Sequence, residues 1–190
     1  DVAPSRGLGD VYKRQLYELP GFESAKYVCA PPLRKKEDQD CLWKGLADGT
    51  IQTVSTDHCS FTTEQKKLGE GDFTKIPGGM PGAETRGTLI YTYGVDKGRI
   101  TKEDMCRVLS ENPAKLYGLY PRKGVIAPGS DADLVIMRTG VEDVITAKDQ
   151  VQNVDYAPFE GTKVTGRVES VFLRGLQAVK DLSLIHISEP

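Results

Sequence analysis

Histidine is scarce in this chain: among 190 residues only His58 and His186 occur. Cysteine is sparse too. Cys29, Cys41, Cys59 and Cys106 are widely spaced and form no CxxC pair. That pattern excludes a disulfide or zinc framework and reads as reduced thiols of a cytosolic protein. No apolar run approaches the roughly 20 residues needed to cross a bilayer. No signal peptide is visible, and the first residue is not Met. A dominant charge is missing as well: 25 basic residues stand against 27 acidic ones, a net charge of −2. Neither nucleic acid nor a membrane is therefore expected as a partner. There is no GxxxxGK[ST] phosphate loop, no internal repeat and no low-complexity tract. What remains is ordinary globular composition, 27% charged and 38% hydrophobic. It is enough for one domain or for pieces of two.

The two ends read differently from the rest. Residues 7–15 are GLGDVYKRQ and residues 182–190 are LSLIHISEP. GGG CTC GGA GAT GTG TAT AAG AGA CAG encodes the first. Its reverse complement, CTG TCT CTT ATA CAC ATC TCC GAG CCC, encodes the second. That DNA resembles the transposase adapter of sequencing libraries, and Ser5-Arg6 continues the match. Residues 1–15 and 182–190 are accordingly read as translated adapter and excluded from fold reasoning. His186 then is no candidate ligand, and residues 16–181 are expected to be a piece of a longer protein.

Within that segment the pattern alternates. Ala25 to Ala30 has strand character and meets Pro31-Pro32, which remove two backbone donors and forbid helix. Asp40 to Asp48 predicts a helix with Leu42, Trp43 and Leu46 on one face and Gly49 as its left-handed stop. Ile51 to Thr56 is a β-prone run that ends in Asp57-His58-Cys59. Strand, loop, helix, strand is the repeat of α/β folds with parallel sheets. Ser60 to Thr85 reads as a long Gly- and Pro-rich loop, of the kind that is usually functional or disordered. Glu84 to Tyr93 predicts a helix. Thr101 caps another, and Asn112-Pro113 restarts it with Asn112 as N-cap and Gly118 as stop. From Gly124 the character turns to β: Val125 to Ser130 as strand and turn, Ala132 to Met137, and Val164 to Val179 about a Gly175 turn. A boundary near Tyr120 separates an α/β part from a small β module.

Asp57 is the leading chemical candidate, because catalytic groups of barrels and open α/β sheets stand at the carboxyl ends of strands. There its carboxylate could ligate a metal or act as base to a metal-bound water. As a bland alternative it is a turn former or helix cap. His58 points elsewhere and reads as a group supporting a carboxylate, or as a turn histidine. Cys59 has no second histidine within 16–181 to serve as its base. It reads, with the other three cysteines, as a buried small hydrophobe. The glycine loop at 76–82 is either a turn scaffold or a run of backbone groups offered to a polar substrate. Arg34, Lys35 and Lys36 read as a solvated face, and Asp131 and Asp133 as turn residues.

The segments Ala30-Pro31-Pro32-Leu33-Arg34, Thr56-Asp57-His58-Cys59, Ile76 to Arg86 (IPGGMPGAETR), Ser110 to Lys115 (SENPAK), Gly129 to Val135 (GSDADLV) and Val154 to Gly161 (VDYAPFEG) occur in this order. Together they resemble the C-terminal part of dihydropyrimidinases and D-hydantoinases, cyclic-amide hydrolases of the amidohydrolase superfamily. The resemblance covers essentially all of 16–181. NPAK and GSDADLV are shared across much of the superfamily; PPLR, TDHC and IPGG-PG-E-R are more specific. It implies a (β/α)8 barrel with a small β-sandwich, residues 16–119 giving the C-terminal part of the barrel and 120–181 the C-terminal part of the sandwich. In the family, the aspartate matching Asp57 ends the last barrel strand. It binds one of two divalent metal ions, expected to be zinc, and acts as acid and base on the bridging hydroxide. The remaining ligands, histidines and a carboxylated lysine, lie upstream and have no counterpart here. The positions matching Ala30 and Gly78 contact the substrate ring, mainly through backbone; the family typically has serine and asparagine there.

The resemblance implies a cytoplasmic homo-oligomer, a tetramer when full length, acting on small cyclic amides such as dihydropyrimidines or 5-substituted hydantoins. The fragment alone is expected to be inactive. Allantoinase- or dihydroorotase-like hydrolysis of another ring is the near alternative. A non-catalytic relative acting as a scaffold is the distant one, and retention of Asp57 speaks against it. Resequencing the source gene from primers inside codons 40–48 is expected to replace both nine-residue terminal stretches with unrelated codons. Their persistence on both sides would return them to the protein.

Overall fold

The computed structural model describes residues 2–4, 13–181 and 183–184. The rest of the two stretches read as adapter, His186 included, lies outside the described residues. Strand β1 (Val2–Pro4) does fall within the first stretch and pairs in parallel with β2 (Thr53–Ser55). The edge of β2 thus accepts a parallel neighbour, as a barrel strand must.

Helix α1 (Lys36–Ala47) begins four residues before the expected start, because Glu37 and Asp38 favour its first turn and the Lys35 N–H donates to Asp38 Oδ2 at 3.1 Å. Trp43 and Leu46 face the core, and Gly49 takes φ +81° just past the end. The chain then enters β2, whose Thr53 and Val54 are buried.

Two expectations upstream and downstream of β2 fail. Glu23 to Tyr27 forms a short 3₁₀ helix, not a strand. The Glu23–Lys26 pair spans one turn at 2.7 Å, and Val28 O is taken up by side-chain and loop donors instead of a ladder. The supposed loop 60–85 contains α2 (Thr63–Lys66) and two 3₁₀ turns. Thr62 and Gln65 nucleate α2 by exchanging bonds, Gln65 N–H to Thr62 Oγ1 and Thr62 N–H to Gln65 Oε1.

Helix α3 (Arg86–Ile90) continues as a wide π turn over Tyr91–Val95. Helix α4 (Lys102–Cys106) is capped as expected, Thr101 and Asp104 exchanging bonds of 3.0 Å. Asn112 is no N-cap. The chain passes from α4 through a π turn (Arg107–Glu111) directly into α5 (Asn112–Leu116) with helical dihedrals at Asn112. The widened turn lets Pro113, which has no N–H to donate, follow without a break. The Asn112 amide instead donates to Gln52 O at 2.8 Å and fixes the entry to β2. Gly118, at φ +67°, ends the helix.

Beyond residue 120 the expected strand at 125–130 is absent. Pro121 and Pro128 remove donors there, Ile126 is 88% exposed, and turns close instead through Ser130 and Asp131. Strands β3 (Leu134–Val144), β4 (Lys163–Leu173), β5 (Leu176–Lys180) and β6 (Ser183–Leu184) form one antiparallel sheet in sequence order. Asp131 and Asp133 are turn residues that also pair with Lys123. Helix α3 and its π turn pack on β4. Tyr93 Oη donates to Lys163 O, Thr165 N–H donates to Thr92 Oγ1, and the Tyr91 ring lies where a Cβ on Gly166 would stand 2.5 Å away. One core cluster, with Trp43, Leu46, Val54, Ile90, Val108, Phe159 and Val164, therefore spans both parts, and a smaller cluster of Cys29, Leu33 and Met80 lies apart from it.

Phe73, Tyr117, Ile126 and Leu176 are exposed, and β2 carries a bare strand edge once β1 is removed. Expressed alone, residues 16–181 are expected to self-associate on size-exclusion chromatography with light scattering. A monodisperse, cooperatively melting monomer would contradict the barrel reading.

Candidate active site

Thr56 is buried directly after β2, and Asp57 is exposed immediately beyond it. Asp57 takes φ +47°, one of three described non-glycine residues with positive φ. Aspartate tolerates that conformation better than most residues, but such backbone still costs on the order of 1–3 kcal/mol and is concentrated at functional positions. The chain turns sharply there, and the carboxylate is left at the strand end.

The loop that follows is folded back onto this turn. His58 Nδ1 accepts the N–H groups of Gly82 (3.1 Å) and Ala83 (3.2 Å). Its ring is therefore a support for the loop, and its hydrogen belongs on Nε2 when it is neutral. Cys59 N–H donates to Met80 O, and Gly79 N–H donates to Val28 O at 3.0 Å. Gly82 lies close on Thr56, where an added Cβ would stand 3.3 Å from the threonine Cβ. The segments bearing Ala30, Asp57 and Gly78 thus meet at one backbone junction. The glycine loop is a built structure at the strand end, not a bare turn.

Of three side chains that build this junction, Lys66 escaped sequence reasoning, and Glu84 and Arg86 stood only as members of the IPGG-PG-E-R motif, with no role assigned. Lys66 is fully buried and donates to Val28 O, Pro77 O and Gly79 O. The Arg86 guanidinium, its pKa drawn down by burial, donates to Val54 O on β2. The Glu84 carboxylate accepts from Val151 N–H (2.9 Å) and Gln152 N–H (2.8 Å), tying the loop to the β module. Asp155 reaches the same region from the other side, accepting from Thr63 N–H at 2.9 Å. Burial opposes ionisation of Asp155, but its bonds to Thr63 outweigh that and hold the carboxyl below the usual range. The Thr62–Gln65 pattern was the one signal that pointed to α2, and so to Lys66.

Of the cysteines only Cys29 is buried, as expected; Cys41, Cys59 and Cys106 are exposed. Cys41 lies on the outer face of α1 and Cys106 on that of α4, away from the positions that feed the core, while Cys59 lies in the loop leaving β2. All four are free thiols. Among the described residues no three His, Cys, Asp or Glu side chains cluster closely enough to hold a metal ion. No described helix is long and apolar enough to cross a membrane.

The amidohydrolase family model matches residues 21–177. The chain belongs to the amidohydrolase family. Within it, a D-hydantoinase of Geobacillus stearothermophilus is 49% identical over 176 residues, 92% of this chain and 37% of that protein. A D-hydantoinase of Streptomyces coelicolor is 49% identical over 163 residues, 85% of this chain and 35% of that protein. The crystal structure of dihydropyrimidinase from Brevibacillus agri NCHU1002 superposes with a TM-score of 0.88 at 46% identity, covering 90% of this chain and 37% of that one. The chain spans little more than a third of these relatives. Its mixed helix-and-sheet fold is that of part of an amidohydrolase barrel with its β-sandwich. Amidohydrolases are generally metal-dependent.

A Cβ on Gly79 would sit 2.3 Å from Cys59 O, whereas one on Gly78 meets nothing within 4 Å. Gly79→Ala is expected to destabilise the protein by about 1–3 kcal/mol and Gly78→Ala by less than about 0.5 kcal/mol. Chemical denaturation of the two variants checks the contrast.

Proposed function

We propose that this chain is the C-terminal part of a metal-dependent cyclic amidase that opens the ring amide of 5-substituted hydantoins or dihydropyrimidines. The observation that carries the reading is Asp57. It is exposed, in left-handed backbone at the end of β2, with the 76–83 loop folded against it. The relatives named D-hydantoinase and the neighbouring dihydropyrimidinase structure support the choice of ring.

A divalent metal suits part of what is present. A carboxylate is a hard oxygen donor, so Asp57 would occupy one metal position, and the other ligands would come from outside this chain. Bound divalent metal, with zinc the expected ion of a two-metal centre, supplies water acidified toward neutrality and a polarised carbonyl. Asp57 takes the proton of the attacking water and delivers it to the leaving ring nitrogen. Gly78 and Ala30 offer backbone groups to the ring amide. Serine and asparagine side chains are absent at these positions, but backbone donors and acceptors survive side-chain change. His58 holds the loop and stays out of the proton path.

The same reading assigns 16–119 to the barrel and 120–181 to the sandwich. Among the described residues the last α-helix ends at Leu116 and the four-stranded sheet starts at Leu134, which supports that division. It leaves 1–15 and 182–190 as adapter, places the enzyme in the cytoplasm, and makes the complete protein a homo-oligomer, expected to be a tetramer.

In the complete enzyme, Asp57→Asn is expected to lower kcat for hydantoin opening by about 10³-fold or more, with melting temperature little changed. Loss of ring absorbance in the ultraviolet measures it, and near-normal turnover would remove Asp57 from the mechanism. Prolonged chelation is expected to abolish activity, and added divalent metal to restore it.

A further inference from the structure

The most unusual group in the molecule is one the mechanism does not use. Lys66 is 0% exposed. An ammonium has three N–H donors, and each here meets a main-chain carbonyl: Val28 O at 2.9 Å, Pro77 O at 2.6 Å and Gly79 O at 2.9 Å. The Phe61 ring stacks against the charge, 5.5 Å from Nζ to its centroid. The helix that carries Lys66 is itself fixed, by the Thr62–Gln65 exchange and by Asp155.

The three carbonyls determine where other groups point. N–H and C=O of a trans peptide point in opposite directions. With Pro77 C=O turned onto Lys66, the Gly78 N–H faces away from it. With Gly79 N–H turned onto Val28 O, the Gly78 C=O faces away from Val28. Both polar groups of Gly78 are thereby aimed outward from the junction, at a residue that is exposed and has open space around its Cα. Val28 O takes both Lys66 and Gly79, so the chain leading to Ala30 is registered against the same loop.

We infer that Lys66 is a positioning residue for substrate: its ammonium sets the backbone of 28–30 and 77–79 so that Ala30 and Gly78 present their peptide groups to the ring amide. This rests on the cyclic-amidase reading above, with Ala30 and Gly78 as the ring-contact positions. Lys66 touches no substrate and moves no proton. Its effect is on binding, so it belongs in KM, whereas Asp57 belongs in kcat.

The test uses the complete enzyme with Lys66→Met, which keeps the bulk and removes the donors, and Lys66→Arg, which keeps the charge but spreads its donors over a planar fork. Steady-state hydantoin opening and thermal melting are measured for both. The expected result is a KM raised about tenfold or more in Lys66→Met with kcat within about threefold, and a smaller KM rise in Lys66→Arg. Lowered melting temperature with unchanged KM would assign Lys66 to stability alone and overturn the inference. So would a loss carried by kcat, or failure of both variants to fold. A wild-type enzyme that opens no cyclic amide would overturn the parent reading, and this one with it; an active wild type with insensitive variants overturns only the role of Lys66.

Discussion

A buried ammonium bonded to three carbonyls is the constraint on which the strand-end region depends. Removing an ion from water is expensive, and a lysine stays buried in charged form only where acceptors replace its hydration. Val28, Pro77 and Gly79 supply them. The same bonds satisfy carbonyls of segments that belong to no sheet and no long helix. Two irregular stretches, distant in sequence, are thus made into one rigid surface without a ladder. The long proline- and glycine-rich loop is ordered for this reason, despite a composition that reads as loose.

The loop is held on two further sides. His58 accepts Gly82 and Ala83 N–H, and Glu84 accepts Val151 and Gln152 N–H. The first contact ties the loop to the residue after Asp57; the second ties it to the connection between β3 and β4. Asp57 consequently has a left-handed backbone that its surroundings maintain, since the chain on both sides is fixed. Strain of this kind persists only where neighbouring structure over-determines it.

The fold was legible wherever local chemistry acts alone. Trp43 and Leu46 on one helical face, the Thr101–Asp104 cap, the Gly118 stop and the Gly175 turn all follow from spacing and residue type. The placement of Asp57 just beyond β2 was legible too, because a β-prone run ending in an acid is a local pattern. The failures share a cause: at each, a contact distant in sequence decides the structure. The 23–28 stretch lacks a ladder partner and spends its carbonyl on Lys66. Asn112 looks like a cap, yet its amide is recruited by Gln52 and a π turn absorbs the proline. Lys66 itself, one of 25 basic residues, carries no mark in sequence that separates it from a solvated lysine. Only the capping pattern at Thr62 places it on a helix, and nothing local places that helix inside.

The division of roles at the site follows from what each group can do chemically. A carboxylate exposed at a strand end is a hard oxygen donor that faces solvent. An ammonium saturated by three carbonyls, with an aromatic ring against it, has no donor left to offer. On the cyclic-amidase reading proposed above, Asp57 acts on the substrate, while Lys66 acts only through the backbone it holds. The glycine between its two loop acceptors, Gly78, is the position at which that backbone faces outward. A residue without a side chain suffices there, because the groups presented belong to the main chain and their direction is set from beneath. On the cyclic-amidase reading, a glycine at 78 and an alanine at 30 are thus compatible with ring contacts made through the main chain.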